Sequence, residues 1–143
     1  MQLSPQDIAA ITDVLGTPVE SADRAHFWNL RDASTNRVLA LTISTVPVEG
    51  GEGMVVVSAQ THQGYVELHD ITGYLCIEPD EVMFVAKQGD RFSSLVVGRT
   101  CTCSQFGNVQ ASLIKGDFAE LDPALLMAAM QSSLAESLLE TLG

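Results

Sequence analysis

The apolar positions change period along the chain, and those changes mark out its elements. Between Ser4 and Gly16 the residues Ile8, Ile11 and Leu15 recur at three- and four-residue intervals, which predicts an amphipathic helix. Ser4 suits the N-cap and Pro5 the first helical position, where its missing N–H costs nothing; Leu3 and Ile8 occupy the hydrophobic-staple positions. Residues 17–24 have no period and contain Pro18, so they read as an irregular connection.

From His26 the period moves to two, the repeat of a strand. Residues 26–32 and 38–46 flank a polar segment and predict a hairpin. Its second strand sets Leu39, Leu41 and Ile43 on one face and Ala40, Thr42 and Ser44 on the other. Residues 47–53 are too rich in glycine to form an element. Residues 54–61 then predict a strand whose four leading apolar residues suit a central, two-sided position. Residues 65–69 alternate as a short strand, and 74–77 look extended. For 79–88 the acids at the start favour a short helix, with a buried strand after a turn as the alternative. Residues 91–97 and 108–115 read as a second strand pair, which 98–107 connects or extends.

The last segment, 121–142, has helical grammar again: Asp122 as N-cap, Pro123 at the first helical position, and Leu121 and Leu126 as staple. Leu126, Met127, Met130, Leu134, Leu138 and Leu142 share one broad face opposite Ser132, Ser133, Glu136 and Glu140. Leu125, Ala128, Ala135 and Leu139 widen the apolar surface on a flank. They are candidate protein-interaction residues, with burial under neighbouring loops as the competing use. The whole pattern predicts an α+β domain: an antiparallel sheet of about five to six strands with N- and C-terminal helices packed on one face.

The 143 residues fit a single domain, and the 46% hydrophobic content excludes wholesale disorder. Eighteen acids against seven bases leave a net charge of -11, which repels nucleic acid and anionic membrane surfaces. After Lys115 there is no Lys, Arg or His, so a solvated acidic face is the plainer reading of that end and a basic protein partner the sharper one. Three cysteines without disulfide-framework spacing, and no basic and apolar blocks at the N-terminus, point to a cytoplasmic protein.

Chemistry-bearing constellations are weak. Cys101 and Cys103 share a face if extended and could hold a soft metal with Cys76 and a histidine, His62 or His69. A thiol nucleophile would need one of His26, His62 or His69 as base, and no local signature supplies it. Glu67, His69 and Asp70 form a polar cluster better read as a solvated strand face. No phosphate loop is present, because Gly50, Gly51 and Gly53 are interrupted by Glu52 and lack a following Lys. Trp28 beside Phe27 either anchors a partner or packs in the core, the second being the stronger reading.

The opening segment Asp7-Ile8-Ala9-Ala10-Ile11-Thr12-Asp13-Val14-Leu15-Gly16, the three strands after it and the final helix together resemble the type III secretion chaperones and the related sensory-regulator domains. Residues 65–77 depart from that pattern as an additional strand or two. The resemblance implies terminal helices on a curved antiparallel sheet, a homodimer, and binding of an extended segment of a protein partner without catalysis or cofactor. The expectation is therefore a non-enzymatic protein-binding domain, chaperone-like or a regulatory adaptor, with no cofactor, metal, nucleic acid or membrane. The edge of strand 26–32 is a candidate docking strand. The alternative is a small-molecule- or metal-binding protein built on Cys101, Cys103, Cys76 and a histidine.

Overall fold

The computed structural model describes residues 3–51, 53–77, 79–88 and 91–110. Helix α1 (Pro5–Leu15) forms where the capping pattern placed it. Ser4 accepts from the Asp7 backbone N–H while the Asp7 carboxylate accepts from the Ser4 N–H at 2.8 Å, a reciprocal capping box. Gly16 ends the helix at φ 67, its N–H reaching Thr12 O at 2.8 Å.

Nine antiparallel strands follow among the described residues. β1 (Glu20–Ala22), β2 (Ala25–Asp32), β3 (Arg37–Val46), β4 (Met54–Thr61) and β5 (Gly64–His69) make a first sheet in sequential order. β6 (Ile71–Ile77), β7 (Glu81–Gln88), β8 (Arg91–Gly98) and β9 (Cys103–Gln110) make a second, also sequential. The chain passes between sheets through one residue, Asp70, at φ 59, a left-handed conformation that Asp tolerates better than most side chains.

Alternation decides which side chains meet. Trp28, Leu30, Leu39, Leu41, Ile43, Val57, Ala59 and Leu68 of the first sheet join Val82, Phe84, Ala86, Leu95 and Val97 of the second in one buried cluster, with Ile8, Ile11 and Leu15 of α1. Three polar ties hold the helix to this core. Trp28 Nε1 donates to Thr12 Oγ1 at 3.1 Å, and Tyr74 OH donates to Asp7 Oδ1 at 2.7 Å. Arg99 donates to the carbonyls of Asp13 and Val14 at 2.9 and 3.0 Å. No basic residue lies in the last turn of α1, so this cation, 85 residues away in sequence, complements the negative end of the helix dipole.

The architecture corrects the expected α+β class. Two sheets of five and four strands replace one of five to six, and α1 is the single helix among the described residues. The chain is nearly all-β in those residues. The final helix predicted over 121–142 lies outside them. Three particulars explain the difference. Within 79–88 the chain makes a turn and then β7 from Glu81, rather than a short helix, because Val82, Met83, Phe84, Val85 and Ala86 are buried on both faces of a strand between β6 and β8, and no alternation is left to read. Residues 17–24 hold β1, three exposed residues with no apolar signature. The last strand among the described residues begins at Cys103, so part of 98–107 extends the strand pair rather than only connecting it, because the turn from β8 is tight: Gly98 N donates to Thr102 O at 2.9 Å and Cys101 takes φ 65.

Candidate binding site

β1 pairs only with Ala25, His26 and Phe27 of β2. Residues 28–32 of β2 therefore have β3 on one side and, among the described residues, no strand on the other. The expected edge thus narrows from 26–32 to 28–32. Beside it the outer face of the first sheet carries a shallow trough of about 500 Å³, lined by residues of β2, β3 and β4 that include Asn29, Arg31, Val38, Ala40, Gln60 and Thr61. Asn29, Arg31, Val38, Ala40 and Gln60 are turned away from the core by alternation, while Thr61 lies in phase with Val57 and Ala59 at the end of β4. Asn29 stands opposite Ala40, Ala40 opposite Gln60, and Gln60 opposite Tyr65, so one cross-strand row runs over four strands. Tyr65, 57% exposed, ends this row on β5, and Val38, 50% exposed, flanks it two residues from Ala40 on β3.

Val38 and Thr61 also line a second hollow, a cleft of about 240 Å³ bounded further by Arg37, His62, Gln63, Cys101, Thr102, Cys103 and Ser104. Trough and cleft therefore adjoin. Two turns frame the cleft. In the β4–β5 turn Gln63 N donates to Thr61 Oγ1 at 3.2 Å. In the β8–β9 turn Cys101 N donates to Gly98 O at 3.0 Å. The buried Cys101 thiol donates to Arg37 O at 3.4 Å and so ties the second sheet to the start of β3. Asn36, at φ 59, accepts from Arg31 Nη2 at 2.7 Å, and the Arg37 N–H donates to Thr35 Oγ1 at 3.3 Å. The backbone that carries Arg37 is thus held from both sides.

Charge here runs against that of the whole chain. Arg31, Arg37 and His62 line the two hollows, and no Asp or Glu does. Asp32 faces Arg37 in the β2–β3 register, but its carboxylate accepts from Thr35 Oγ1 at 2.6 Å and from Ser34 Oγ, bonds that hold its carboxyl below the usual range. The Arg37 guanidinium has no ion-pair partner among the described residues.

The predicted site residues divide as follows. Trp28 is fully buried beneath α1 with its indole N–H satisfied, so it is core and not a surface anchor. Leu125, Ala128, Ala135 and Leu139 lie outside the described residues. Cys101, Cys103 and His62 do line one cleft, while Cys76 sits on β6 and His69 on the outer face of β5. Burial pushes both the Cys101 and the Cys103 thiol up, so neither is a thiolate at neutral pH. Among the described residues no group of three or more His, Cys, Asp and Glu side chains could hold a metal ion. Glu67 and His69 share a strand face as alternation predicted. Tyr65 joins them, donating to Glu67, and His69 contacts the other Glu67 oxygen; the Tyr65 bond is the main cause of the lowered Glu67 carboxyl.

The sequence reading missed Arg31, Arg37, Val38 and Gln60. The signal present was Val38, an apolar residue out of phase with Leu39, Leu41 and Ile43 on its own strand. No protein-family model, curated protein or solved structure matches the chain. No helix among the described residues is long and apolar enough to cross a membrane.

Proposed function

We propose that this chain is a non-enzymatic protein-binding domain, a chaperone-like or regulatory adaptor, that takes an extended segment of a partner protein alongside residues 28–32 of β2. The observation that carries the reading is the coincidence of the strand edge with the trough lined by Asn29, Arg31, Val38 and Ala40. An edge supplies unpaired backbone N–H and C=O groups, and the trough receives the alternate side chains of an added strand. Trough and cleft together fall within the roughly 300–1,000 Å³ of ordinary ligand sites. The net charge of -11 steers basic surfaces toward the molecule as a whole, but the arginines here favour acidic groups on the segment that docks.

The test uses an eight-residue synthetic peptide of alternating valine and aspartate, titrated into the isotope-labelled full chain. Amide shifts confined to residues 28–32 and 38–40, and binding weakened at least tenfold by Val38→Glu, are the expected result. A peptide that binds equally well to the Val38→Glu variant, or shifts that fall elsewhere, would remove the trough from the proposal. Val38 is half exposed, so the variant folds.

A further inference from the structure

We propose that the cleft framed by the β4–β5 and β8–β9 turns is a carboxylate-binding subsite, with Arg37 as the principal recognition residue. For the identity of the carboxylate's carrier this rests on the reading of the trough, which the cleft adjoins at Val38 and Thr61.

Three observations point the same way. The lining combines one guanidinium, one imidazole, the carboxamide of Gln63 and the hydroxyls of Thr61, Thr102 and Ser104, and contains no carboxylate. A guanidinium fork matches the two oxygens of a carboxylate, and hydroxyl and amide donors can share what the fork leaves unsatisfied. The nearest internal acid along β2, Asp32, spends its oxygens on Ser34 and Thr35. The backbone at Arg37 is pinned by Cys101 on its carbonyl and Thr35 on its N–H, which lowers the ordering cost of binding.

The last of these gives Cys101 a role its chemistry did not. The β8–β9 turn sets Cys101 at φ 65, and from there its buried thiol donates to the Arg37 carbonyl. That bond ties the start of β3 to the β8–β9 turn across the cleft.

The carboxylate can be an acidic side chain or the free C-terminus of the docked segment. Three peptides of one apolar core separate these: one with an aspartate and an amidated end, one with asparagine and a free end, and one with asparagine and an amidated end. Each is titrated into the full chain and into Arg37→Gln, Arg37 being exposed so that the variant folds. At least one charged peptide should bind about tenfold more tightly than the neutral one, and that advantage should vanish in Arg37→Gln while neutral-peptide affinity stays unchanged. Whichever peptide keeps the advantage identifies the source. Three peptides of equal affinity overturn the subsite and leave the trough standing. If none binds, the trough reading fails, and acetate titrated alone decides the subsite: saturable shifts at the Arg37 and His62 side chains, absent in Arg37→Gln, uphold it, and their absence overturns it.

Discussion

The outer faces of the two sheets have opposite fates. On the first sheet, alternation turns Asn29, Arg31, Val38, Ala40, Gln60, Tyr65 and His69 outward, and all are exposed. On the second, the residues facing away from the first sheet, Met83, Val85, Phe92, Ser94 and Val96, are buried, Phe92 being the most accessible at 8%. One sheet has an inside and an outside. The other is interior on both sides through most of β7 and β8, so these strands carry stability and the first sheet is free to carry recognition. A groove can be cut into a surface that the core does not need.

A matched pair of substitutions breaks this contrast most sharply. Val85→Asp places a charge where no solvent reaches, and its expected cost is about 4 kcal/mol or more, a large part of the stability of an ordinary domain. Ala40→Asp, at an exposed position of a central strand in the other sheet, should stay within about 0.5 kcal/mol. Denaturant midpoints measure both. Equal losses would show that the first sheet's outer face also supports the fold.

A smaller effect sharpens the comparison at α1, which packs on the core the two sheets share. Arg99→Ala should cost about 1 kcal/mol, since it removes two hydrogen bonds and the cation at the helix C-terminus while Arg99 itself stays exposed. Loss of helical amide protection at residues 12–15, with the strands unaffected, is the reading to look for in hydrogen exchange.

The smallest effect depends on pH. Asp7 is held below its ordinary 3.8, first by the Ser4 backbone N–H and then by the Tyr74 hydroxyl. A depressed carboxyl stabilises the fold fully above its unfolded value, and that contribution is lost as pH falls through the lower folded value. Asp7→Asn should therefore flatten the stability profile below about pH 4 and leave its shape near neutrality unchanged. A profile as steep in the variant as in the parent would assign the acid sensitivity to other carboxylates.

Much of this molecule was legible where local chemistry dominates. Ser4, Pro5 and Gly16 announced α1, and the alternation of residues 38–46 set the face of β3 that meets the core. The acids ahead of Val82 resembled a helix start, and they misled because a strand buried on both faces has no polar phase to contradict them. Of the candidate site, the sequence held the edge strand and the nearness of Cys101 to Cys103. It did not hold the meeting of Arg37 with His62 and Thr102.

What the sequence determined by itself is therefore the capping of α1, the phase of the first sheet and the positions of most strands, because each depends on residues within a few positions of one another. The tertiary structure decided the rest: a division into two sheets, the Arg99 cap on a helix 85 residues away, the Cys101 tie to Arg37, and the adjoining of trough and cleft. Each of these is a contact between residues far apart in sequence, and no local period or motif records which distant partner a side chain will find.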